Sequence, residues 1–112
     1  MGTIFSKIIN KEIPANIVFA DEYCLAFKDI NPVAPTHILL IPKIEDIDQL
    51  AHAQTQHQNL LGHLMLVAAL VAKQEGLKDY RIVINNGAEA GQTVFHLHIH
   101  IIGGRVMGWP PG

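Results

Sequence analysis

The stretch "VFHLHIHIIGG", residues 94–104, governs how the rest of the chain is read. His96, His98 and His100 stand at alternate positions, with Leu97, Ile99 and Ile101 between them. Alternation of period two marks a β-strand, whose side chains point to opposite faces in turn. A strand over 95–102 sets three imidazoles in a row on the exposed face of a sheet and three aliphatic side chains in a core. Such a row has three explanations: a metal site, a catalytic site, or three solvated histidines. Alternate Cα atoms in a strand lie about 6.6–6.8 Å apart, so the outer pair stands ~13 Å apart. Zinc–nitrogen bonds are only ~2.0–2.1 Å long. Two alternate histidines can share an ion, but three on one regular strand would have to lean hard along the chain. No second cysteine or acidic cluster lies nearby in sequence to complete a ligand set. A metal therefore ranks below catalysis, and neither metal nor cofactor is assigned.

The residues before the row supply what a catalytic reading needs. "NNGAEAGQTVFH" (85–96) offers Asn85, Gly87, Gly91, Gln92 and Thr93. A glycine turn can aim backbone N–H groups at an anion. Alone, such a turn is an ordinary hairpin feature. Next to imidazoles, which attack phosphorus or move protons, it makes a candidate phosphate-transfer site.

Working outward, the runs at 16–20 ("NIVFA") and 23–29 ("YCLAFKD") form a hairpin about Asp21 and Glu22. "INPVAPT" (30–36) is a loop, and "HILLIP" (37–42) is a buried strand. From about Thr55 to Glu75 the period becomes helical, and Gly76 supplies the stop. The apolar arc of this helix is wide, because Leu66, Ala69 and Leu70 extend it. It asks for two surfaces to pack on, its own sheet and a second subunit. "YRIVINN" (80–86) is a further strand, and Thr3 caps a short helix through about Lys11 that Pro14 ends. The order α-β-β-β-α-β-β predicts an α+β domain, an antiparallel sheet of about five strands with one long helix.

The 112 residues predict a single domain over 1–112, with an irregular tail at 104–112 rich in glycine and proline. A hydrophobic fraction of 49% argues against disorder. The net charge of −2 and the lack of a basic run exclude an electrostatic footprint for long nucleic acid. Cys24 is the sole cysteine, which suits a reducing, cytoplasmic setting, and it reads as a small apolar filler. The start "MGTIFSKIINKE" loosely fits a myristoylation pattern at Gly2 and Ser6. Ile4, Phe5, Ile8 and Ile9 instead read as helix residues packing on a core, not as a signal peptide. No stretch is long enough to span a bilayer. His52, His57 and His63 read as surface or interface residues.

The run from His96 to Ile102 matches the H-φ-H-φ-H-φ-φ signature, with φ apolar, of the histidine-triad (HIT) family. "IFSKIINKEIPA", "AFKDINPVAPTHILLIPK", "LLGHLM", "GQTVFHLHIHIIGGR" and "WPPG" resemble its Hint branch over nearly the whole chain. The resemblance implies a homodimer whose protomers join their sheets into one. It implies binding of purine nucleoside monophosphates and hydrolysis of P–N bonds in nucleoside 5′-phosphoramidates, with aminoacyl-adenylates as further substrates. It implies that His98 is the nucleophile, forming a nucleotidyl-histidine, with His96 and His100 as flanking donors and His37 as an orienting partner. Asn85, Gly91, Gln92, Thr93 and Val94 match the phosphate-contact segment, with Thr93 where serine is usual. Asp29 matches the acid on the ribose hydroxyls. Phe5, Ile8, Phe27 and Ile30 match the purine slot. Trp109 matches a tail residue that shapes the leaving-group side of the partner's site. His37 reads equally as a strand-start histidine, Asp29 as a turn aspartate, and the four apolar residues as ordinary core. A nucleotide-binding scaffold, a dinucleotide hydrolase and a zinc hydrolase are the rival functions.

Overall fold

A computed structural model describes residues 2–112. Helix α1 spans Ile4–Ile9, and three strands follow: β1 (Ile17–Ala20), β2 (Cys24–Lys28) and β3 (Thr36–Pro42). Helix α2 (Gln58–Gln74) precedes strands β4 (Tyr80–Val83) and β5 (Ile99–Gly103). The five strands form one sheet in the order β1-β2-β3-β5-β4, and every neighbouring pair is antiparallel. This is the α+β architecture expected.

Each element has a local cause. The Thr3 hydroxyl accepts from the Phe5 N–H, and the Ser6 hydroxyl accepts from the Thr3 N–H, closing the first turn of α1. The helix ends earlier than expected. Lys11 takes a left-handed φ of 62°, three residues before Pro14. Asp21 turns the β1–β2 hairpin by accepting the Tyr23 and Cys24 N–H groups on one oxygen. Helix α2 ends as its glycine predicts: Gly76 has φ 76°, and Leu77 N–H donates to the Ala72 carbonyl while Gly76 N–H donates to Lys73. Those are the two bonds of a Schellman stop.

Two apolar clusters lie on opposite faces of the sheet. On one face Ile38, Leu40, Leu97, Ile99 and Ile101 pack beneath Leu64, Val67 and Val71 of α2. On the other, Leu25, Phe27, Leu39 and Ile41 pack beneath Phe5 and Ile8 of α1. Full burial of each large aliphatic side chain contributes ~1.5–3 kcal/mol. The wide arc of α2 is met on one side only within this chain: Met65, Leu66 and Leu70 are exposed. No helix is long and apolar enough to cross a membrane among the described residues.

The last strand begins later than its pattern suggests. Pairing with β3 stops at Leu40 and Ile99, so His96 and His98 precede β5. The Leu97 N–H donates instead to the Ile47 carbonyl in the loop before α2, at 2.8 Å. Strand β4 is also short, because Ile84, Asn85 and Asn86 leave the ladder.

Candidate active site

The alternation across 96–101 survives this irregular start. Leu97, Ile99 and Ile101 enter the α2 core, and the three histidines share the α1 face. The face is not exposed, contrary to expectation, because α1 folds over it. His96 is 2% and His98 7% exposed. The Phe5 ring packs edge-on against both imidazoles, with centroids 5.9 and 5.1 Å away.

Hydrogen bonds then assign each ring a different task. His96 Nε2–H donates to the Pro42 carbonyl at 2.8 Å, tying the segment to the end of β3. Its N–H is therefore spent, and the expected role of His96 as a direct phosphate donor does not fit this geometry. His98 Nδ1–H donates to the His96 carbonyl at 2.7 Å, so Nε2 keeps its lone pair. The registers Leu39↔His100 and His37↔Ile102 bring His37 beside His100. The Val33 N–H donates to His37 Nδ1 at 3.1 Å. A nitrogen that accepts carries no hydrogen, so His37 bears its proton on Nε2. That Nε2–H donates to His100 Nδ1 at 2.9 Å, with an Asp29 carboxylate oxygen at 3.3 Å. By the same logic His100 carries its hydrogen on Nε2. This atom is buried without a partner. A buried donor left free costs ~1–3 kcal/mol, which an incoming anion recovers.

Both His98 and His100 are held neutral. Burial lowers the His98 pKa, and the His96 carbonyl offsets only part of that effect. Burial, helped by the His98 and His37 rings, pushes His100 down to about 4. At neutral pH the site thus presents an unprotonated nitrogen on His98 next to a neutral N–H on His100.

A cavity of about 510 Å³ opens onto this pair. His98, His100, Thr93 and Asp29 give it polar lining, and Phe5, Ile8, Phe27 and Val94 apolar lining. Ile30 stands at its rim, 90% exposed. Ile13, Ala15 and Leu39 complete the apolar wall. Sequence reasoning did not single them out, although "EIPA" after α1 was a usable signal. The Asp29 N–H donates to the His37 carbonyl, and one carboxylate oxygen accepts from the Asn31 N–H, fixing the side chain at the wall.

The remaining candidates stand behind the cavity or away from it. Gln92 is a brace: its amide N–H group donates to the Asp48 and Val94 carbonyls, and its oxygen accepts from the Gly87 N–H. With its amide so engaged, it shapes the loop rather than contacting ligand. Gly91, at φ 100°, needs glycine to turn toward Asn85, whose amide nitrogen would stand 3.5 Å from a Cβ there. Trp109 is exposed and outside the cavity of its own chain. His57, expected at the surface or in an interface, is buried within its own chain, and its Nδ1 accepts the Gln54 N–H at the start of α2. A more open depression of about 660 Å³ between residues 76–81 and the tail contains no histidine.

Two groups of three ligand-type side chains occur among the described residues, Asp29–His37–His100 and Asp21–Cys24–His63. Neither includes His96 or His98. In the first, His37 Nε2 carries a hydrogen because Nδ1 accepts from Val33. A ligating nitrogen needs a free lone pair, so this group does not fit a metal.

The comparisons agree with this arrangement. The family profile described as HIT domain matches residues 10–107. The chain is 59% identical to the "14 kDa zinc-binding protein" of Zea mays, over 98% of this chain and 88% of that one. It is 56% identical to "Adenylylsulfatase HINT1" of Arabidopsis thaliana, over 98% and 76%. The crystal structure of a HIT family hydrolase from Legionella pneumophila superposes with a TM-score of 0.95 at 44% identity, covering 99% of this chain and all of that one. The chain belongs to the histidine-triad (HIT) family, in its Hint branch.

Proposed function

We propose that the protein hydrolyses P–N bonds in purine nucleoside 5′-phosphoramidates through a nucleotidyl-histidine. One observation carries the reading. The His96 carbonyl holds His98 Nδ1–H, freeing Nε2 as a nucleophile, beside the unpartnered Nε2–H of His100. His98 Nε2 attacks the α-phosphorus, the P–N bond breaks, and the amine leaves with a proton taken from solvent. The His100 N–H donates to the phosphoryl oxygen as its charge grows. Water then cleaves the P–N bond to His98, releasing the nucleoside monophosphate.

The cavity supports a nucleotide as the bound group. Its apolar lining suits a flat base, and Asp29 can accept from both ribose hydroxyls. Thr93 belongs to the polar lining, where its hydroxyl can bond phosphate or leaving group and its methyl narrows the space. Asn85, Gly91 and Gln92 act indirectly, by shaping the loop that carries Thr93 and Val94. His96 acts by fixing His98. A homodimer is part of the reading. Strand β4 is a sheet edge bearing half-exposed Tyr80 and Ile82, and α2 leaves Leu66 and Leu70 uncovered. Joined at those surfaces, two protomers would share one sheet and bring each Trp109 tail toward the other's site.

The maize relative's name refers to zinc. Among the described residues, the His37 tautomer leaves no metal-binding set at the reacting histidines, and the proposed reaction uses the imidazoles alone. The name of the Arabidopsis relative puts adenylyl sulfate in the same assay. We expect His98→Ala to lower phosphoramidate turnover by ~10⁴-fold or more while nucleoside monophosphate binding, followed by calorimetry, persists. Adenylyl sulfate, acyl-adenylates and dinucleotides serve as comparison substrates. Wild-type turnover in the variant overturns the mechanism. A faster rate on adenylyl sulfate than on any phosphoramidate overturns the substrate assignment.

A further inference from the structure

The hydrogen bond between His37 and His100 can run in either direction, and the direction decides what the cavity meets. Two neutral imidazoles share one hydrogen between His37 Nε2 and His100 Nδ1, 2.9 Å apart. When His37 donates, His100 keeps its hydrogen on Nε2, the buried atom without a partner. When His100 donates, that atom holds a lone pair instead and cannot bond a phosphoryl oxygen. Two groups select the first direction. The Val33 N–H donates to His37 Nδ1 at 3.1 Å, and an Asp29 carboxylate oxygen lies 3.3 Å from His37 Nε2. Reversal would set two N–H groups head to head at Val33 and a lone pair against a carboxylate at Asp29. We propose that Arg105, in the tail, is a positioning residue that sets this direction by holding Val33 in place.

Val33 belongs to no helix or strand. It lies midway along the 30–36 loop and is 56% exposed. The loop is tied at its base, where the Asp29 N–H donates to the His37 carbonyl and the Asn31 N–H to the Asp29 carboxylate. Its middle is held from the tail. Thr36 pairs with Gly103, the last residue of β5, so the chain leaving β5 runs back along the loop. Gly104 has φ 93°, and a Cβ there would stand 2.9 Å from the Pro35 Cβ. Its backbone therefore lies against the proline ring. The next residue reaches the middle of the loop. Arg105 Nε–H donates to the Val33 carbonyl and Nη1–H to the Val106 carbonyl, each at 3.2 Å.

A guanidinium suits this task. It stays charged at every working pH, and a charged donor bonds a carbonyl more strongly than a neutral one. Its bond to Val106 braces it against its own backbone. Pro32 and Pro35 have fixed φ, so few torsions in the loop remain free. Arg105 thus holds the carbonyl of the very residue whose N–H faces His37. Among the described residues, no other donor reaches that carbonyl. With the bond lost, Val33 can turn its N–H away, and His37 Nδ1 can take up the hydrogen. Arg105 is exposed and stands outside the cavity, so it acts only through Val33, His37 and His100. The catalytic consequence rests on the proposed use of the His100 N–H, whereas the direction of the bond does not.

Nitrogen NMR of the imidazole rings, on the full chain without substrate, reads the direction. In the wild type, His37 Nε2 and His100 Nε2 should both show the shifts of protonated nitrogens. Arg105→Met removes the donor at an exposed position and should move His100 Nε2 toward the unprotonated shift. Its kcat on an adenosine phosphoramidate should fall about tenfold, the loss expected for one charge-assisted hydrogen bond, with KM unchanged. Arg81→Met is the control. It frees the tail at Gly108, whose carbonyl accepts from Arg81 Nη2–H at 2.7 Å, and leaves Val33 held. Its imidazole shifts should match the wild type. Unchanged His100 shifts in Arg105→Met overturn the proposal, and so do equal shifts in Arg81→Met. A wild-type kcat at an altered His100 shift would confirm the direction and overturn the role given to the His100 N–H. The NMR readout needs no substrate, so it decides the proposal even if phosphoramidates prove not to be substrates.

Discussion

The sheet is covered by a 17-residue helix on one face and by a six-residue helix on the other, and the two faces differ accordingly. Beneath α2, Ile38, Leu40, Ile99 and Ile101 meet Leu64, Val67 and Val71 in a closed aliphatic core. Beneath α1 lie Leu39 of β3, His100 of β5 and His98 just before β5, and the short helix covers only part of them. The uncovered part is the cavity. Strand β5 serves both faces because its side chains alternate. One segment, His98 with the strand it leads into, thus anchors the fold and lines the candidate site, and the rigidity of the first face positions the second.

This division of labour can be broken from either side. Leu64→Ala, on the closed face, should cost ~2–5 kcal/mol of stability in chemical denaturation. Its kcat per folded molecule should stay at the wild-type value. A large loss of kcat in that variant would mean the faces are not separable. His100→Ala, on the open face, should do the reverse. Loss of one preorganised donor lowers kcat by ~10²–10³-fold, while the Tm falls by less than for Leu64→Ala, because the loss of the bond from His37 Nε2–H is partly offset by removal of the unpartnered buried His100 N–H. A fall in Tm of the size seen for Leu64→Ala would assign His100 to the core instead.

A smaller effect sharpens the comparison through pH. The folded pKa values of His98 and His100 are lowered, so the unfolded chain binds protons first as pH falls. Their contribution to stability is therefore complete above about 6.5, the ordinary histidine value, and is lost as pH falls toward the His100 value of about 4. His98 attacks only when neutral, so the acid limb of kcat/KM should fall below the ordinary histidine value. An acid limb above it would contradict the burial of His98.

Much of this was legible from residues alone, for physical reasons. The helical period of 55–75 and the glycine at 76 specify α2 and its stop, because both are local. The alternation at 96–101 sorts core from site, because a pleat leaves no other choice. The exposure of the histidines was not legible. It depends on where α1 packs, a long-range matter that the amphipathic pattern of 4–9 leaves open. The start of β5 is not legible in the sequence, because Leu97 finds its hydrogen bond in the 43–49 loop rather than on β3. The separate tasks of His96 and His100 follow from Pro42 and from the β3–β5 register, which no spacing encodes. His57 is a cap that only its bond to Gln54 reveals.

The central claim is that His98 Nε2 forms a bond to phosphorus. Rapid acid-free quenching of the enzyme with an adenosine phosphoramidate, followed by peptide mass mapping, tests it most directly. The account predicts an adenylyl mass increment on the peptide containing His98, present in wild type and absent in His98→Ala. An increment on another residue, or turnover with product formed in a burst and no modified peptide, would contradict it.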